Sequence, residues 1–216
     1  MASRPAVQLA LDVGDPAALI QLARELAPFV DWVEAGTPLI LAEGMKIVSA
    51  LQTQLPSKPI VADVKIMDGG YHEANLAFAA GAAIVTVLGV TGDATIRGAL
   101  KAAREHGGRV MADLLQVPDV AARAQSLTEL GVDYLCVHTA YDLRETGASP
   151  VEQLALLSGL PVAPLVVAGG IGPHNLDIIT AFHPAAIVVG GAITNASEPT
   201  AVAREIQQIL ARQQAG

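Results

Sequence analysis

Along the chain, short runs of β-branched and other apolar residues alternate with stretches whose apolar positions recur at i, i+3 and i+4. That alternation predicts parallel strands joined by crossover helices. Eight strands are expected: VQLALD at 7–12, WVEAG at 32–36, IVADVK at 60–65, IVTVL at 84–88, VMADL at 110–114, YLCVH at 134–138, PLVVAG at 164–169 and AIVVGG at 186–191. Helical patterns fill 17–27, 42–55, 72–81, 94–107, 121–131 and 200–210, with Gly81, Gly107, Gly108 and Gly131 placed where helices should stop. The polar tail 211–216 is expected to fray. At about 27 residues per unit the pattern fits one closed, parallel (β/α)₈ barrel, a single domain over residues 1–216. No low-complexity linker or shift in composition divides it.

Composition narrows what such a barrel can do. The chain is 52% hydrophobic, yet no run reaches the roughly 18 uninterrupted apolar residues of a membrane-spanning helix. The N-terminus goes directly into a strand-like run without a basic-then-apolar leader, so a cytoplasmic protein is expected. A formal charge of −8 repels nucleic acid and anionic membranes, and 3% aromatic residues leave little for base stacking. An anionic substrate must therefore be captured locally. The single cysteine, Cys136, allows no intramolecular disulfide and cannot build a cysteine-based metal site, and within YLCVH it reads as a buried structural thiol.

Polar side chains close most of the apolar strands: Asp12 after the first, Glu34 on the second, Asp63 and Lys65 on the third, Asp113 on the fifth and His138 on the sixth. Active sites in this architecture gather at the C-terminal ends of the strands. The i, i+2 spacing puts Asp63 and Lys65 on one face, with Asp68 following in the next loop. Two carboxylates beside one ammonium keep the lysine charged, and confinement leaves one member available for proton transfer. A buried ion-pair network that merely closes the barrel is the competing reading, but several desolvated charges at one end call for a reason beyond stability. Glu34 and Asp63 end adjacent strands and suit one hard cation, Mg²⁺ or Mn²⁺, unless Glu34 only pairs with Lys65. His138 is placed to accept a proton, unless neighbouring backbone satisfies it. His72, His106, His174 and His183 fall at helix starts or in loops and read as solvated.

Phosphate has a natural seat at the pairs Gly169-Gly170 and Gly190-Gly191, after the seventh and eighth strands, where backbone N–H groups can approach an anion and a following helix adds its positive end. Tight turns are the alternative for any single pair.

The segments LALDV, VEAGTPLILAEG, VADVKIMDGGYHEA, VTVLGV, VAGGI and VVGGAIT together resemble the 3-hexulose-6-phosphate synthase family across nearly the whole chain. That family is similar to the orotidine-phosphate decarboxylase group, which shares the Asp-x-Lys-x-x-Asp cluster seen at Asp63, Lys65 and Asp68. The resemblance implies Mg²⁺-assisted, reversible aldol condensation of formaldehyde with D-ribulose 5-phosphate through an enediolate. It implies catalytic roles for Asp12, Asp63, Lys65, Asp68 and His138, and substrate contacts from Asp113 and the glycine loops. It also implies a homodimer in which Asp68 reaches the neighbouring subunit's site.

The nearest competitor is 3-keto-L-gulonate-6-phosphate decarboxylase, which shares the barrel and the cluster. That family typically has an arginine where this chain has Tyr141, Gly-Arg where it has Gly190-Gly191, and glutamate in place of Asp113. All three departures favour the synthase; Arg144, where synthases commonly carry glutamine, departs from it. A non-catalytic sugar-phosphate sensor would not need the charged mouth intact. A ribulose-phosphate epimerase would need metal-binding histidines that the strands do not supply.

Overall fold

The structure, a computed structural model, describes residues 4–146 and 149–215. Eight parallel strands close into a barrel in sequence order: β1 Ala6–Leu11, β2 Trp32–Ala35, β3 Ile60–Ile66, β4 Ile84–Leu88, β5 Arg109–Asp113, β6 Tyr134–His138, β7 Leu165–Ala168 and β8 Ala186–Val189. β1 closes the ring against β8, with Val7 opposite Ile187. The strands were legible to within about two residues because their apolar runs are bounded by polar or glycine positions.

The helices depart more. The expected helix over 42–55 is two, α2 Thr37–Glu43 and α3 Lys46–Gln54, because Gly44 takes a left-handed φ of 66° that no helix interior tolerates. α1 Pro16–Leu26 starts at an Asp15 cap whose carboxylate accepts from Ala18 N. α4 Gly70–Ala79, α5 Asp93–His106 and α6 Val120–Leu130 follow their patterns, and α5 and α6 end at left-handed Gly107 and Gly131. His106 therefore stands at a helix end rather than a start, bonded to Asn75; like His72, His174 and His183 it is not buried. Three short helices escaped the periodicity, α7 Val151–Ser158, α8 Leu176–Thr180 and α9 Gly191–Thr194. α10 Pro199–Ala215 runs through most of the tail that was expected to fray.

Two apolar layers result. The larger lies between strands and helices, and a smaller one, including Val61, Ile84, Met111, Val166, Ala186 and Val188, fills the barrel interior. Beneath the latter, Trp32 and Tyr134 meet edge-on at 5.4 Å, and Arg109 donates to the tyrosine hydroxyl at 2.8 Å. The barrel is thus plugged at its N-terminal end and leaves its buried charged side chains, Glu34, Asp63 and Asp113, to the other.

Candidate active site

A cavity of about 540 Å³ opens at the C-terminal ends of the strands and is lined by Asp12, Glu34, Asp63, Lys65, Asp113 and His138. Gly169, Gly190 and Gly191 line it too, and a Cβ on Gly190 would meet Asp12 Oδ2 at 3.4 Å. The sequence-predicted side chains therefore converge, with Asp68 as the exception.

Lys65 is delivered by an irregularity in β3. The register with β4 shifts between Ala62 and Ile66, and Lys65 adopts φ 52°, a left-handed conformation that costs a side-chain-bearing residue about 1–2 kcal/mol. Its freed N–H donates to Thr86 Oγ1 at 2.9 Å, and the same hydroxyl donates to Asp63 Oδ1 at 2.8 Å. Asp63 Oδ2 takes the Lys65 ammonium at 2.5 Å and the Thr37 hydroxyl at 2.8 Å. The Lys65–Asp63 contact expected from simple alternation exists, but a bulge and a threonine on the next strand produce it.

Lys65 Nζ also lies 3.5 Å from Asp113 Oδ2. Burial disfavours the ammonium, yet the charges of Asp63 and Asp113 outweigh it and raise the lysine's pKa, so it is a permanent cation. Asp113 is itself buried, which opposes ionisation, but hydrogen bonding from His138 and the charges of His138 and Lys65 hold its carboxyl below the usual range. An ionised Asp113 accepts a hydrogen bond from His138 Nδ1 at 2.7 Å, which fixes the tautomer that leaves Nε2 as the proton acceptor. A carboxylate, not backbone, orients the histidine. Asp113 also accepts from Leu115 N at 2.9 Å, and it lines the same cavity as Gly169, Gly190 and Gly191.

Glu34 is 7% exposed and faces Gln8, whose Nε2 donates to it at 2.5 Å. Burial first and the charge of Asp63 second raise its pKa from 4.5 to about 8. Its partner is therefore Gln8 rather than Lys65. Two hard carboxylates that repel each other, with the amide of Gln8 beside them, match the oxygen donors that Mg²⁺ or Mn²⁺ prefers, so the residues fit the expected cation. Asp113, Cys136 and His138 also bring donor atoms within 4.8 Å of one another. Burial, then the charge of Asp113, pushes the Cys136 thiol well up, so it keeps its proton and behaves as the buried structural thiol expected.

Asp12 stands exposed at the rim just past β1. A Cβ at Gly36 would come within 2.1 Å of its Oδ1, so only glycine leaves it room there. Gly169 and Gly170 take left-handed φ values of 97° and 72°, and Asn175 braces their loop by donating to Gly170 O and accepting from Gly172 N, both at 3.0 Å. The helix after this loop, α8, begins only at Leu176, whereas α9 begins at Gly191 itself. Asp68 is exposed and accepts from Gly69 N at 2.7 Å, outside this chain's own cavity. The Arg144 side chain lies outside the described residues. Gln8, Thr37, Thr86 and Asn175 were not anticipated. The first and third had a signal, a polar residue inside an apolar strand, but the pattern gave no partner for them.

Comparison with known proteins agrees with this geometry. Residues 5–206 match the model of the Orotidine 5'-phosphate decarboxylase / HUMPS family. A 3-hexulose-6-phosphate synthase of Bacillus subtilis (strain 168) is 38% identical over 205 residues, 94% of this chain and 98% of that protein. The crystal structure of 3-hexulose-6-phosphate synthase from Salmonella typhimurium matches with a TM-score of 0.93 at 38% identity, covering 96% of this chain and 99% of that one. KGPDC from Streptococcus mutans in complex with D-R5P matches at 0.90 but 26% identity, covering 96% and 98%. The fold, the clustered charges and these relatives lead to one assignment: the chain belongs to the Orotidine 5'-phosphate decarboxylase / HUMPS family and is an enzyme of the lyase class.

Proposed function

We propose that the protein is a 3-hexulose-6-phosphate synthase, condensing formaldehyde with D-ribulose 5-phosphate in a reversible aldol reaction in the cytoplasm. The observation that carries this reading is the line of contacts from Lys65 through Asp113 to His138 in a chain 38% identical, over 94% of its length, to a synthase of that name. His138 Nε2 removes the C1 proton of the ketose, and Asp113 holds the imidazole in register for it. Lys65 offers its fixed positive charge to the enediolate oxygens. The C1 carbon then bonds to formaldehyde, and the proton on His138 passes to the new alkoxide, so the base is restored. Glu34 and Asp63 would hold Mg²⁺, or Mn²⁺ in its place, which when bound supplies Lewis-acid polarisation of the C2 carbonyl. The glycine loops at Gly169-Gly170 and Gly190-Gly191 receive the phosphate through backbone N–H groups. Asp68, exposed beside Met67 at 55%, serves the site of a partner subunit in a homodimer.

The decarboxylase reading draws on the KGPDC relative, whose barrel matches closely at lower identity. Incubating the purified protein with Mg²⁺, formaldehyde and D-ribulose 5-phosphate separates the two. Consumption of formaldehyde is expected. No consumption ends the synthase proposal, and CO₂ release from 3-keto-L-gulonate 6-phosphate at a far higher specificity constant replaces it.

A further inference from the structure

Gln8 is the one inward position of β1 whose polarity the catalytic scheme does not use. It lies 2% exposed, in the period-2 series with Ala10 and Asp12 that lines the cavity, on the same strand face as the apolar plug. Its Nε2 is satisfied by Glu34, but Oε1 has no protein donor and is the only buried side-chain polar atom in that condition among the described residues. Turning the amide over moves the problem without removing it, since Glu34 can satisfy only one half. An unsatisfied buried acceptor costs about 1–3 kcal/mol, and methionine would fill a similar volume without that cost. The nearby groups give no relief. Glu34 already meets the other half of the amide, Asp63 accepts from Thr37, Lys65 and Thr86, and the Lys65 ammonium lies at 2.5 Å from Asp63 and 3.5 Å from Asp113. The donor for Oε1 must come from whatever enters the cavity.

We propose that Gln8 is a positioning residue for the divalent cation: Nε2 orients the Glu34 carboxylate, and Oε1 accepts a hydrogen bond from a water that the cation brings with it. This rests on the reading of Glu34 and Asp63 as the residues that hold the cation. Water bound to a divalent cation is more acidic and a stronger donor than bulk water, so an acceptor kept waiting favours the loaded state over the empty one. Partners of this kind behind a metal ligand typically alter affinity by 10–100-fold.

The test uses Mn²⁺ as the probe, titrated into EDTA-stripped protein and followed by the electron paramagnetic resonance of free Mn²⁺, with water-proton relaxation of the bound ion read alongside. Gln8→Met should weaken Mn²⁺ binding about tenfold or more and change the relaxation enhancement, while its melting temperature in EDTA stays level or rises. A merely structural glutamine would give the reverse, a lower melting temperature with unchanged affinity. Gln8→Asn, which withdraws the amide by one methylene, should weaken binding in the same direction and stands in should the methionine variant fail to fold. If wild-type protein binds Mn²⁺ and both variants bind within twofold of it, the role of Gln8 is refuted and the cation assignment stands. If wild-type protein binds no Mn²⁺, the cation assignment itself falls and takes the role of Gln8 with it.

Discussion

The two ends of the same eight strands are built from opposite materials. At the N-terminal end Trp32, Tyr134, Ile84 and Ala186 form a dry plug, in which specificity comes from shape. At the C-terminal end Glu34, Asp63, Lys65, Asp113 and His138 crowd around one cavity, and each is costly to bury alone. The difference teaches that stability and chemistry are separated by a few residues along each strand. β6 shows it in miniature, running from Tyr134 in the plug through buried Cys136 to His138 at the cavity.

Substitutions at either end should therefore have separable effects. The largest loss is expected for Lys65→Ala, about 10³-fold in kcat/KM for formaldehyde consumption, because the fixed cation facing developing charge is removed. Near-unchanged turnover would take Lys65 out of the mechanism. His138→Asn should lower kcat by about 10²-fold, and adding Asp113→Asn to it should cost little more, since the two act as a unit. Independent, multiplying losses in steady-state kinetics would break that pairing. At the other end, Ile84→Ala should destabilise the fold by about 2–3 kcal/mol in urea titration and leave kcat within about twofold. A comparable fall in kcat would show that the plug and the mouth are coupled.

A further expectation concerns the pH dependence of the metal-free protein. Glu34 has a native pKa of about 8 against an ordinary 4.5, so the native state holds a proton there that the unfolded chain releases. Its contribution to stability is complete below about 4.5 and is lost as pH rises through 8. Melting temperatures in EDTA should fall across that window more steeply for the wild type than for Glu34→Gln. Parallel curves would show that Glu34 ionises normally and needs no cation beside it.

The same contrast explains what the sequence made legible. The plug and the strands announce themselves through hydrophobic period, and the polar residues that close those apolar runs give away Asp63, Lys65 and His138 from residue order alone. The left-handed Lys65, the Thr86 hydroxyl under it and the Gln8–Glu34 pair stayed hidden, because each depends on register between neighbouring strands rather than on order within one. The break at Gly44 was missed because helical period on either side continues through it. Asp68 was read as a loop residue and is found in the loop after β3, turned back to its own backbone.

Thr86 has a consequence for anyone who would transplant this site. Its one hydroxyl serves both the strained Lys65 amide and the Asp63 carboxylate, so the Asp-x-Lys pair is not a portable motif. Grafted onto another barrel without a hydroxyl at the matching place on the adjacent strand, the lysine would relax into regular pleat and its ammonium would arrive at a different point. The transferable unit is a patch of two strands, and a designer who copies only β3 copies the letters without the geometry.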